Sequence, residues 1–300
     1  MGLSGALIAI VFGTWTPASA VRQQPIGPNE VNALPSKPAD ARVAYGPAPE
    51  QFGDLRLPAG RGPFPLAIVI HGGCFLSKVA TLQNTSPMAD ALRDASLATW
   101  NIEYRRIGDA GGGWPGTYQD VGLAADHVRT LATKYPIDAN RTIAVGHSAG
   151  AVLAIWLGAR EKVPAASPLY VRDPLRLRNV VGIGADGDLP PIAPALEKLC
   201  GSTAADVFFE RPLSPERLAQ ANPADMLPFA VPQLLISGSL DPFEPRSQKS
   251  AYMARIRKAG GKVDELTIDK VGHFEVVAPN STVWPAVRDA ILRVAGVALK

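Results

Sequence analysis

The stretch Gly146-His147-Ser148-Ala149-Gly150 constrains this chain more than any other. Before it, Arg141-Thr142-Ile143-Ala144-Val145 is short, apolar and β-branched, the composition of a buried strand in a parallel sheet. After it, Ala151 to Leu157 is an unbroken apolar run suited to a helix packed beneath that sheet. A strand that becomes a helix across one residue forces unfavourable backbone angles on that residue. Glycines two positions to either side let the two elements approach closely. Ser148 is then held clear of the sheet at the positive end of a helix, as a nucleophilic serine must be. A bare Gly-x-Ser-x-Gly string is weak evidence, and the flanking strand and helix are what make it specific.

A second signal lies upstream. Leu66 to Ile70 reads as a fully buried strand and runs straight into His71-Gly72-Gly73-Cys74-Phe75. Acyl transfer needs donors aimed at the oxyanion that develops on the carbonyl, and amides in a glycine turn supply them without side-chain interference. Gly73 and Cys74 are the candidate donors, with the amide of Ala149 as a third.

A nucleophilic serine also needs a base, and the chain has four histidines. His71 opens the glycine turn, His127 falls inside a helical pattern, and His147 adjoins the serine, so its side chain is expected to point elsewhere. His273 remains, in Val271-Gly272-His273-Phe274 after a strand near the C-terminal end. The acid that orients its imidazole is best placed at Asp241, which leaves the strand Gln233–Ser237. Asp186, Asp188 and Glu244 are the other candidates. The aromatic residues Phe75, Trp114, Phe208, Phe209 and Phe274 are the candidates for a substrate pocket. Phe208 and Phe209 serve equally well as packing within their own segment.

Between these motifs the pattern alternates. Strands are expected at 51–57, 66–70, 97–104, 141–145, 179–184, 233–237 and 263–268. Helices are expected at 86–95 (Ser86 as N-cap), 120–135, 151–157, 246–259 and 282–297. Such alternation implies a right-handed, mostly parallel sheet wound on both faces. The loop 108–116 is rich in glycine but lacks the Lys-Ser or Lys-Thr of a phosphate cradle. Residues 185–229 interrupt the alternation as a Pro-rich excursion after the sixth strand, with short helices at 196–200 and 215–220.

His71-Gly72-Gly73, Glu103-Tyr104-Arg105, Trp114-Pro115 with Asp120, and Gly-His-Ser-Ala-Gly together resemble the hormone-sensitive-lipase-like and arylformamidase-like branches of the α/β-hydrolases. The resemblance covers about residues 50 to 295 and extends to feruloyl-esterase-like serine esterases. It implies an α/β-hydrolase fold in which the excursion lies over the active site as a cap. Cys74 departs from it, standing where the lipase-like branch has a third glycine.

The chemistry expected is two-step acyl transfer through Ser148, His273 and Asp241, with no cofactor and no metal implied. A carboxylic ester is the first-choice substrate, an aryl formamide or amide the second. A non-catalytic binding protein on the same scaffold is the reading from another class, and the full set of catalytic residue types argues against it. Composition supports a single globular domain over 44–300: the 300 residues are 47 % hydrophobic and 19 % charged. The formal charge of +3 is scattered, which gives no footprint for nucleic acid or an acidic membrane. Residues 1–20 read as a secretory signal peptide, with apolar Leu3 to Phe12 and the small-residue site Ala18-Ser19-Ala20, although no Lys or Arg precedes the apolar run. Export with Val21 as the mature start is expected, an uncleaved anchor being the alternative; stable membrane insertion after cleavage is not. Residues 21–43 read as a flexible lead-in. The two cysteines, Cys74 and Cys200, suit a disulfide in an exported protein, worth about 4 to 5 kcal/mol by loop closure. In a reduced compartment they would be two buried thiols.

Overall fold

The computed structural model describes residues 26–201 and 214–299. The expected leader, its cleavage site, and Phe208 and Phe209 lie outside the described residues.

The buried run Phe64–Ile70 forms strand β3, at the centre of the sheet. On one side lie β4 (Ala98–Ile102), β2 (Phe52–Arg56) and β1 (Ala41–Ala44). On the other lie β5 (Ile137–His147), β6 (Asn179–Ile183), β7 (Gln233–Gly238) and β8 (Val263–Ile268). The order is β1-β2-β4-β3-β5-β6-β7-β8, with β1 and β2 antiparallel and every pair from β4 to β8 parallel. This is the α/β-hydrolase arrangement that the motifs imply, and a parallel sheet of this kind must be covered on both faces. One face carries α3 (Gly116–Ala132) and α4 (Ala149–Ala159), packed through Trp100, Trp156 and Tyr118. The other carries α2 (Ser86–Asp94) and α8 (Trp284–Ala295), packed through Met88, Leu92, Val287 and Ile291. Helix α7 (Arg246–Lys258) links β7 to β8.

Three local expectations are corrected. The N-cap of α2 is Thr85 rather than Ser86, because the 3-10 turn Leu82–Asn84 runs directly into the helix and Ser86 instead donates to the Leu82 carbonyl (3.0 Å). Helix α3 begins at Gly116, so Asp120 lies inside it. There its carboxylate receives the Arg105 guanidinium and the Gln51 amide. From residue 26 onward, the segment expected to be a flexible lead-in is built into the fold: α1 is Pro28–Asn32 and β1 pairs with β2. Side-chain bonds rather than a hydrophobic period hold it, with Asn84 donating to Asn32 (3.0 Å) and the Lys37 amide to Asp90 (2.9 Å).

The excursion at 185–229 includes α5 (Leu189–Cys200) and α6 (Pro215–Ala221) among the described residues. Its return to the sheet is anchored where Trp156 donates to the Gln220 carbonyl (2.9 Å) and Tyr118 to that of Ala221 (3.0 Å).

The crossing of β5 and α4 dictates small residues. A Cβ on Gly146 would run into the Gly150 carbonyl, and one on Gly150 would lie 2.5 Å from the His71 carbonyl oxygen. Both obstacles are backbone and cannot turn aside. Gly146→Ala is therefore expected to destabilise the protein by more than about 3 kcal/mol, read as a fall in the midpoint of urea unfolding. An unchanged midpoint would contradict the packing described.

Candidate active site

Ser148 sits between the last residue of β5 and the first of α4, at φ 55° and ψ −124°. For a residue with a Cβ this is strained backbone. The turn is pinned by the Ser148 amide donating to the Ile183 carbonyl (2.8 Å) and by the Ala151 amide donating to the Ser148 carbonyl (2.8 Å). The serine thus stands at the N-terminus of α4, where unpaired amides carry partial positive charge.

His273 and Asp241 meet beside it. His273 Nδ1 lies 2.8 Å from Asp241 Oδ2, and both residues are buried. The other carboxylate oxygen of Asp241 accepts the Phe243 amide (2.8 Å). With Nδ1–H donated to the carboxylate, Nε2 is left as the basic nitrogen. Gly184 makes room for this pair: a Cβ there would lie 2.9 Å from the imidazole and 3.1 Å from Asp241 Oδ2. Ser148 and His273 line the same cavity.

The other acid candidates serve elsewhere. Asp188 accepts Arg255 (2.6 Å) and Asn222 (3.3 Å). Asp186 accepts the Asp188 amide (2.9 Å) and Gln248 (3.4 Å). Glu244 is buried close to Asp241. Desolvation, then the neighbouring carboxylates of Asp186 and Asp241, push its carboxyl well above the ordinary range against the pull of Lys249.

The loop after β3 brings Gly73, Cys74 and Phe75 together with positive φ at all three (103°, 58° and 59°). No hydrogen bond engages the Gly73 or Cys74 amide among the described residues, and Ala149 contributes a first-turn amide of α4. A buried network fixes this loop. His71 Nε2 lies 2.7 Å from Glu103, whose second oxygen accepts the Leu82 amide (3.0 Å). Tyr104 stacks on the His71 ring and donates to its carbonyl (2.7 Å). Burial pushes Glu103 upward, but His71, Arg106 and the Leu82 amide outweigh it and hold the carboxylate below its usual range.

Cys74 and Cys200 are joined, their Cα atoms 5.7 Å apart. Phe75 is buried in a small cavity beside Ser148, and Phe274 lines a larger one. Trp114 lines neither. It packs edge-on against Tyr118 with the Arg217 guanidinium over its ring, because the loop preceding α3 turns it toward α6.

Two contributors escape sequence reasoning. Phe243 lies 4.4 Å from the His273 ring and lines both cavities; the string Asp-Pro-Phe-Glu-Pro reads only as a turn. The second is His147, whose side chain was expected to point elsewhere. Its ring instead packs 4.6 Å from that of His273, and its Nε2 donates to the His273 carbonyl (3.0 Å). Burial, with the adjacent His273, lowers its basicity far below that of a free histidine, so it braces the loop as a neutral ring.

The acidic cluster next to the site has a pH signature. Burial raises Asp186 to about 6, with the charge of Asp188 adding and the Asp188 amide, Gln248 and Lys249 opposing. The folded state therefore binds more protons than the unfolded chain between about pH 4 and 6. Stability from this group falls as pH rises through that window and stays lost above it. Asp186→Asn keeps the acceptor for the Asp188 amide. Relative to wild type it is expected to gain on the order of 2 kcal/mol between pH 4 and pH 8, measured by urea unfolding at both. Parallel pH curves for the two proteins would refute this.

Known folds share the architecture. Esterase B from Lactobacillus Rhamnosis (HN001) superposes with a TM-score of 0.73 at 17 % identity, covering 89 % of each chain. The acetyl ester-xyloside bifunctional hydrolase from Caldicellulosiruptor lactoaceticus gives 0.69 at 17 % identity, over 87 % of this chain and 98 % of that one. Thermogutta terrifontis esterase 2 gives 0.69 at 15 % identity, over 89 % and 98 %. At these identities the likeness is one of fold. Among curated proteins no sequence match is found. The BD-FAE family model matches residues 54–254, a span that includes Ser148 and Asp241 and stops short of His273. The chain belongs to the BD-FAE family.

Proposed function

We propose that this protein is an exported serine hydrolase that cleaves carboxylic esters through an acyl-enzyme. The observation that carries the reading is the His273–Asp241 pair, buried and hydrogen-bonded at 2.8 Å, with His273 on the wall of the cavity that Ser148 also lines. In this mechanism Ser148 Oγ attacks the ester carbonyl carbon as its proton passes to His273 Nε2. Asp241 holds the Nδ1–H tautomer and stabilises the imidazolium. The amides of Gly73, Cys74 and Ala149 receive the oxyanion, backed by the dipole of α4. Collapse of the tetrahedral adduct breaks the carbon–oxygen bond, and the leaving alcohol takes the proton from His273. Water, deprotonated by the same histidine, then releases the acid and restores Ser148.

Support for an ester over an aryl formamide comes from the apolar lining beside Ser148, which suits a short acyl group such as acetyl and exceeds the needs of a formyl hydrogen. Export is supported by the pairing of Cys74 with Cys200, since an oxidising compartment preserves such a bond. Among the described residues no helix is long and apolar enough to cross a membrane.

Ser148→Ala is expected to lose at least about three orders of magnitude in kcat against p-nitrophenyl esters. A serine-reactive phosphonate should label Ser148 alone. Near-full activity in the Ala variant would overturn the reading, and a panel adding feruloyl esters and N-formyl aryl amines separates the substrate classes.

The acid is tested separately. Asp241→Asn should reduce kcat by about 10³-fold or more, by loss of the productive tautomer. Glu244→Gln should change it by less than about tenfold, since Asp241, and not Glu244, is the carboxylate bonded to the His273 ring. Steady-state kinetics of the two variants decide it, and a larger loss for Glu244→Gln would reassign the acid.

A further inference from the structure

Two cavities meet at Ser148, and they differ greatly in size. One is lined by Phe75, Val152, Ile192, Leu196 and Phe243. It offers only about 20 Å³ to the centre of a water-sized sphere. The other is lined by His273, Phe274, Asn84 and, from the N-terminal segment, Pro28 and Asn32; it offers about 230 Å³ by the same measure. His273 must hand its proton to the leaving alcohol, so the alcohol lies on the side that His273 lines. The acyl chain is then directed into the small cavity, which has room for about one methyl-sized group beyond the carbonyl.

What closes that cavity is α5. Ile192, Leu196 and Cys200 are spaced four apart and so form a single stripe along the helix. The first two are buried against the acyl cavity, and the third is bonded to Cys74, a residue lining both cavities. The stripe is therefore held at its C-terminal end by the disulfide. At the other end of α5 the Leu189 amide donates to Asn222 (2.9 Å). The anchor point is itself rigid, because Cys74 sits in the loop pinned by His71 and Glu103.

We propose that Cys200 is a specificity-determining residue. Its bond to Cys74 clamps the Ile192–Leu196 wall over Ser148 and sets the upper limit on acyl length. With the bond intact the enzyme takes short acyl groups. When a dithiol reduces the bond, the protein takes up two electrons and two protons to give two thiols, the dithiol closes to a cyclic disulfide, and the wall is released to admit longer chains. The inference rests on the ester-hydrolase reading above and adds a selectivity to it.

The experiment compares kcat/KM for p-nitrophenyl acetate, butyrate and octanoate, using full-length wild type before and after dithiothreitol, Cys200→Ser, and Leu196→Ala with the disulfide intact. Thiols are counted by alkylation and mass spectrometry, and folding is followed by circular dichroism. The butyrate-to-acetate ratio is expected to rise about tenfold or more on reduction, in Cys200→Ser and in Leu196→Ala. Cys200→Ser should no longer respond to dithiothreitol. An unmoved ratio in reduced, folded wild type overturns the proposal, as does finding two free thiols in the isolated protein. If reduction and Cys200→Ser both unfold the chain, Leu196→Ala decides: a ratio within twofold of wild type overturns the proposal, and a tenfold rise upholds the wall. Oxidised wild type that cleaves none of the three esters sinks the esterase reading itself, whereas cleavage with an unmoved ratio sinks only the selectivity.

Discussion

The turn at Ser148 is strained, and it persists because the sheet leaves its backbone no other partner. The Ser148 amide is taken by the carbonyl of Ile183 on the neighbouring strand, while the serine carbonyl starts the ladder of α4. Relaxing the serine would break the first bond and pull α4 off the sheet, exposing a helix in which every residue from Ala149 to Ala159 is buried. That burial is worth far more than the one to three kcal/mol such a conformation costs. The Gly73–Phe75 loop and the His273 loop are both arranged around this fixed point.

Each of those loops is held by a buried polar group. Glu103 ties His71, Leu82 and the Tyr104 amide together on one side. His147 carries the carbonyl of His273 on the other. An unpaired buried group is costly, so partners of this kind define one arrangement rather than several.

Much of this was legible in the residues. Gly146, Ser148 and Gly150 announced the elbow because backbone crowding leaves few alternatives there, and the glycines after His71 marked the sharp turn that follows β3. Elimination among four histidines led to the ring that does sit against Asp241. What stayed hidden depends on side chains meeting across long separations. Phe243 in a turn and Asn32 in a polar segment have no periodicity to betray them. Trp114 looked like a pocket residue because an aromatic beside a glycine loop does, yet its neighbours Tyr118 and Arg217 claim it. His147 was discounted by adjacency alone, although its ring packs 4.6 Å from that of His273. Cys74 is intelligible in hindsight: at φ 58° it occupies backbone that favours glycine, and the side chain present there is bonded to Cys200.

The N-terminal segment has a bearing on how the molecule is handled. Ile26 donates its amide to Glu275, which also receives the amide of Gly272, next to His273. Two residues further on, Pro28 forms part of the rim through which a leaving alcohol would depart. Anything joined ahead of residue 26, whether a tether, an affinity tag or a fusion partner, is thus attached at the doorway of the site. Turnover compared between differently processed or tagged preparations would report the crowding of that doorway as much as the chemistry behind it.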